Sequence, residues 1–250
     1  MRTLAAEWIK FRTLRSSLWS LAAAVAAALA VTVPAAGTVL PRLDAGRSPD
    51  QASLAAWSVA FFGLALSALV VGVLGVITMT GEQASRMINL TYTAMPSRRG
   101  VLLAKAAVLT GTSLVTLVLI GTIGHLYGRT VIARLHPTSL PPDAWPLIGS
   151  AALVLVTAAL LGLALGALLR NGALAAVVLI ATLHVLPFIL MSIPGGEHVG
   201  EFLPLVAGLQ LLHQVPQTMP ATTAFAICAL WTVVPIGIAL AISPGPGSSS

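Results

Sequence analysis

The chain has 250 residues, of which 57% are hydrophobic and only 8% charged, and its mean hydropathy is +0.97. A soluble domain carries about a quarter charged residues, and this chain has too little polar sequence to clothe a water-facing surface, so a soluble globular fold is excluded in favour of an integral membrane protein. The net charge of +6, from 13 basic and 7 acidic residues, then reads as membrane topology and requires no nucleic-acid partner, and the single Cys228, set in an apolar run, rules out an intrachain disulfide.

Residues 1–17 form a basic lead that belongs in the cytoplasm. At helical spacing Leu4, Trp8 and Phe11 share a face, with Arg2, Glu7, Lys10 and Arg12 around them. That pattern suits a helix lying on the inner membrane surface with its basic groups near anionic lipid head groups. The plainer alternative is a basic flank that only sets topology. Leu18–Val33 also has the character of a signal-peptide core, and Val33–Ala35 faintly resembles a cleavage site. The lead is long, however, and carries Glu7, Trp8, Lys10 and Phe11, so an uncleaved first span is expected.

Uncharged runs follow, long enough to hold the roughly 20 residues that cross a hydrocarbon core as a helix. Continuous Leu, Ala and Val without alternation argues for helices rather than barrel strands. The predicted cores are residues 18–37, 57–79, 104–125, 147–169, 172–193 and 221–242. Between the last two, Pro204, Gln210, His213, Gln214, Pro216 and Gln217 interrupt the run. Only Phe202–Leu212 is strongly apolar there, which fits a short interfacial or re-entrant helix within an extracellular segment, 197–217, better than a seventh crossing. The membrane domain is thus 18–242, and 243–250 reads as a flexible tail. Gly162 and Gly166 form a GxxxG that permits close helix contact, a weak match in a chain with 22 glycines. Pro187 and Pro235 are candidate kinks in the fifth and sixth spans. His184, within the fifth span, is either a substrate-path residue or a neutral histidine bonded to a neighbouring helix.

With six spans and both termini inside, nine basic residues fall on the cytoplasmic side (Arg2, Lys10, Arg12, Arg15, Arg86, Arg98, Arg99, Lys105, Arg170) and four outside (Arg42, Arg47, Arg129, Arg134). This asymmetry sets the orientation. It places the polar stretch after the second span, residues 82–100, in the cytoplasm, where the Asn89-Leu90-Thr91 sequon carries no weight. Glu82 to Ala94 lacks proline and glycine and is predicted helical, with Met87, Leu90 and Ala94 along one side. Glu82 and Arg86 stand at ion-pairing distance in sequence. Pro96 would end the helix, and Arg98, Arg99 and Lys105 follow at the membrane edge. Two readings stay open here: a solvated basic loop, or a short surface helix that docks on a partner.

The whole pattern resembles the permease subunits of bacterial ABC transporters of the ABC-2 exporter type. The resemblance rests on the start Glu7-Trp8-Ile9-Lys10, the six spans, and the cytoplasmic series Glu82, Arg86, Leu90, Pro96, Arg98, Arg99, Leu102, Leu103 and Lys105. It implies an all-α polytopic fold with an elbow helix around Glu7, Trp8, Lys10 and Phe11. It further implies a coupling helix comprising Glu82, Arg86, Met87, Leu90, Tyr92, Pro96, Arg98 and Arg99, and an extracellular segment that helps close the exit. Its expected partners are a separate ATPase subunit, a second permease copy or paralogue, and membrane lipid, in a bacterial plasma membrane. The chain has no Gly-x-x-x-x-Gly-Lys-Ser/Thr, so ATP and Mg would be used by that partner and no cofactor bound here. A path lined by Ser, Thr, Asn, aromatic and aliphatic groups suits an amphipathic or lipid-like drug. The alternatives are a non-transporting immunity or scaffold protein, and a membrane metalloenzyme built on Glu197, His198, Glu201 and His213, although no HExxH is present.

Overall fold

The computed structural model describes residues 6–9, 15–44, 59–84, 98–131 and 144–242. Among them the regular structure is helical, without strands, and six helices are long and apolar enough to cross a membrane. The chain is therefore a multi-pass membrane protein. Besides the helical residues 6–9 and a single turn at Glu197–Gly200, the helices in order are α1 (Arg15–Asp44), α2 (Leu64–Ala84), α3 (Arg98–Val131), α4 (Ala144–Leu169), α5 (Gly172–Met191), the short α6 (Pro204–Leu211) and α7 (Ala221–Ile242). No crossing other than the six predicted ones is found among the described residues.

The observed helices outrun the predicted cores at several ends. At 34 residues, α3 is about 51 Å long, well beyond a hydrocarbon core of roughly 30 Å. Its first turn carries Arg98 and Arg99, so these two begin the span's own helix. At its far end α2 continues unbroken through Glu82 to Ala84. Glu82 is thus the last turn of a span rather than the first residue of a separate helix. The start of α2 was placed at residue 57, but a turn at Phe61–Gly63 precedes the regular helix. Thr32 of α1 stabilises that turn, because its hydroxyl donates to the Ala60 carbonyl (3.3 Å) and accepts from the Gly63 N–H (3.3 Å).

The centre of the bundle is the α2–α4 pair. Each of these spans is 56% buried, against 11% for α7. Their contact is backbone on backbone. A methyl group on Gly162 would overlap the Gly72 carbonyl, and one on Gly75 would overlap the Ala159 carbonyl. Gly166 packs one turn on against Val76 and Met79. The weak GxxxG match is therefore the seam of the fold. Lipid supplies no hydrophobic drive for helix pairing, so this close approach and its dispersion energy take over that role.

Around this seam α1 packs on α2 and α3, α3 also packs on α4, α5 packs on both α2 and α4, and α7 packs on α4. Between α4 and α7, Thr157 Oγ1 lies 2.9 Å from Thr232 Oγ1. Both hydroxyls also reach the Cys228 carbonyl, Thr232 at 2.8 Å and Thr157 at 3.5 Å, so the three groups form one small polar cluster across the interface. Pro235, a candidate kink, lies within α7, which stays α-helical across it. The segment between α5 and α7 folds back on α7. Gly208 of α6 meets Val154 of α4, the Trp231 indole N–H donates to the Phe202 carbonyl at 2.8 Å, and Cys228 Sγ lies 3.6 Å from the Pro204 carbonyl. The other end of α6 is held where Gln210 Nε2 donates to Thr218 Oγ1 at 2.9 Å. α6 thus runs antiparallel to the first half of α7, with its N-terminus beside residues 228–231, near the middle of that span.

Candidate functional site

Successive spans alternate in direction, so the end of α2, the start of α3 and the α4–α5 turn share one end of the bundle. The turn is only Arg170 and Asn171. Arg170 takes φ 53°, a left-handed conformation that disfavours non-glycine residues, and it is exposed. Asn171 caps α5, its side-chain oxygen accepting from the Leu174 N–H at 3.1 Å. Gly172 lies against Thr80 of α2, which brings the last turns of α2 up to this corner.

Two turns into α3 stands Lys105, only 2% exposed. A lysine this deep in an apolar helix needs a countercharge. It finds one 98 residues earlier in sequence: Lys105 Nζ donates to Glu7 Oε2 at 2.8 Å, and Glu7 is itself 7% exposed. Residues 6–9 are helical, with Glu7 turned inward while Trp8 and Ile9 are exposed. The lead is thereby joined to the root of α3 by a buried, charge-assisted hydrogen bond. Arg99, one and a half turns before Lys105, is exposed.

The sequence pointed to Glu7 and Lys105 separately and did not pair them. A usable signal was present, because buried charges in membrane proteins are matched. Glu7 is the only acid in the lead, and Lys105 is the basic residue set deepest at the start of an apolar run. Lys105 was expected as a basic flank at the membrane edge; burial corrects this, since a solvated flank would not sit at 2% exposure. Of the other elbow candidates, Trp8 is exposed, and Lys10 and Phe11 lie outside the described residues, as do Arg86, Met87, Leu90, Tyr92 and Pro96 of the coupling series.

No family model matches the chain, and no curated protein matches it. Its chemistry must therefore be read from the side chains themselves.

The second polar feature within the bundle is His184. It lies in a π-helical turn, Ala181–Val185, that interrupts α5 just before the buried Pro187. The proline explains the turn. Its ring would strike the carbonyl four residues back, and it has no N–H to offer; a wider turn relieves the clash. The sequence expected a kink at Pro187, and the structure accommodates it as a π turn. The His184 ring, both of whose nitrogens are buried, lies against the backbone of Ala65 in α2 and makes a loose hydrogen-bonding contact with it. As for the metalloenzyme alternative, no group of three or more His, Cys, Asp or Glu side chains able to hold a metal ion occurs among the described residues.

Proposed function

We propose that the chain is the transmembrane permease subunit of an ATP-driven exporter of the ABC-2 type. It moves an amphipathic or lipid-like compound outward across a bacterial plasma membrane, with energy from a separate ATPase subunit. The observation that carries this reading is the Glu7–Lys105 pair. Glu7 belongs to the Glu-Trp-x-Lys start and Lys105 closes the cytoplasmic series after the second span. The two sequence elements on which the resemblance rests are therefore tied to each other by a 2.8 Å contact. An elbow helix that must follow the movement of a coupling segment needs such a tie.

The mechanism follows from the levers on either side. A partner that grips residues 85–97 pulls on the last turn of α2 and the first turn of α3. α2 is fused to α4 through glycines, so its displacement carries α4 with it. α3 carries Lys105, so its displacement carries the lead and α1. ATP-driven movement at one end thus becomes a rearrangement of packed bodies rather than a bend within one helix. α6 is read as a re-entrant helix on the outer side, where its hold on α7 through Trp231 and Cys228 keeps the exit closed. A second permease copy completes the path.

The test is affinity purification from native membranes. A stoichiometric ATP-hydrolysing subunit should accompany the chain, and a cysteine placed at Leu90 should cross-link to it. If the chain purifies without such a subunit, or if a cysteine at Arg98 is labelled from outside the cell, the reading is wrong.

A further inference from the structure

The end of the bundle opposite Arg99 and Arg170 carries an acid that the chain does not match. After Arg170 there is no lysine or arginine, and Glu197 and Glu201 are the only charged residues. Lys105 is taken by Glu7, while Arg42 and Arg129 belong to α1 and α3, which pack on each other, on α2 and on α4. Among the described residues no hydrogen bond or ion pair engages the Glu201 carboxylate, and Glu201 is half-buried. Its depth follows from its neighbours. The Phe202 carbonyl accepts from the Trp231 indole at 2.8 Å, and the Pro204 carbonyl lies 3.6 Å from Cys228 Sγ. Cys228 and Trp231 stand seven and ten residues into α7, about 10 and 15 Å below its first residue. With 22 residues, α7 is about 33 Å long, little more than a hydrocarbon core. Glu201 therefore hangs from backbone that dips to hydrocarbon depth, where an acid without a cation costs free energy and marks a ligand or ion path.

We infer that Glu201 is the binding site for the ammonium group of a cationic amphiphile. A metal ion does not fit, because a hard divalent cation asks for six or more oxygen ligands and no group of three or more metal-binding side chains occurs among the described residues. An ammonium is satisfied by less: one carboxylate gives it a charge-assisted hydrogen bond. The surroundings suit the rest of such a molecule. Val199 and Phe202, in the same turn as Glu201, are 60% and 57% exposed, so an aliphatic body lying against the bundle has apolar surface to cover. The Trp231 indole, bonded to the very next residue's carbonyl, brings a second aromatic ring, and aromatic faces attract cations. A carboxylate or a phosphate at the same place is repelled by Glu201. As a statement about cargo, the inference rests on the exporter reading and gives the transported compound a positive head; the binding itself is a property of this chain alone.

The probes are two photoreactive alkyl diazirines of equal chain length, one ending in a primary ammonium and one in a hydroxyl, with the diazirine beside the head. They are applied to the purified chain in phosphatidylcholine nanodiscs, and labelled peptides are identified by mass spectrometry. Labelling of residues 199–205 is divided by labelling of Leu174 and Val177, exposed apolar residues at the other end of α5, which cancels any difference in partitioning. The ammonium ratio should exceed the alcohol ratio about tenfold or more, the gain a hydrogen bond to a charged group produces. Glu201→Gln should abolish the excess, and Glu201→Asp should keep part of it. Equal ratios in the unaltered protein overturn the inference, and so does an excess that survives Glu201→Gln. The comparison in the unaltered protein needs no variant to fold. Exchanging part of the lipid for phosphatidylethanolamine separates the two sources of an ammonium: loss of the excess assigns the site to a lipid head group, retention assigns it to a cargo amphiphile, and the ammonium site stands in both cases. No ATPase is present in the assay, so its outcome is separate from that of the capture experiment above.

Discussion

Consider the replacement of Lys105 by methionine, which keeps the stem and removes the charge. At 2.8 Å and an effective dielectric constant near 20, the Coulomb attraction in the pair is about 6 kcal/mol. Desolvation of the two ions cancels much of this, so the net worth of the pair is far smaller than its gross attraction. Removing one partner is a different operation, because Glu7, at 7% exposure, then loses the Lys105 charge. That leaves a destabilisation of about 3–5 kcal/mol for Lys105→Met, and a comparable one for Glu7→Gln. The double variant removes both charges and should cost only about 0–2 kcal/mol. The measurement is reversible SDS unfolding in mixed micelles, run as a double-mutant cycle. With those costs the coupling energy is at least about 4 kcal/mol. It should barely change when salt is raised to about 1 M, since a buried pair is screened little. A coupling below about 0.5 kcal/mol, or one that disappears with salt, would mean that the lead rests on the surface and is not anchored to α3.

Other consequences can be checked in the same preparation. Gly162→Ala should destabilise by about 2–4 kcal/mol, because the new methyl group meets the Gly72 carbonyl. Gly149→Ala, at a position with open space around it, should be neutral or slightly stabilising in SDS unfolding. Thr157→Val should cost about 0.6–1.7 kcal/mol by losing its bond to Thr232 across the α4–α7 interface, and Thr232→Val on top of it should add little. Trp231→Phe removes the indole donor to the Phe202 carbonyl and should free the start of α6. Cys228 is the chain's one cysteine and is buried against Pro204, so its rate of maleimide labelling should rise severalfold in that variant. An unchanged rate would show that Trp231 does not hold the segment.

The spans were legible because apolar run length is a one-dimensional property, and residues 221–242 match to the residue. The boundaries that slipped did so for local reasons. A turn clamped by Thr32 delays α2 at its start, and helix continues past the hydrocarbon at Glu82 and Arg98, where nothing in the sequence forces an end. The packing was much less legible. A GxxxG in a glycine-rich chain says nothing about which helix it meets, and only the fold shows Gly72 and Gly75 opposite it. The candidate site was read in pieces. Glu7 and Lys105 stand 98 positions apart, and no local pattern joins residues at that separation. His184 is legible as a polar residue in an oily run, but the π turn that holds it is created in part by a proline three residues later.

The seam between α2 and α4 has a consequence for motion. Side chains at an ordinary helix interface act as a compliant cushion that lets two helices slide by a fraction of a rotamer step. Where carbonyl meets glycine there is no cushion, and sliding by even one residue would drive a side chain into a main chain. These two helices are therefore a single stiff keel, and whatever shape changes the protein undergoes must come from the outer staves swinging against it.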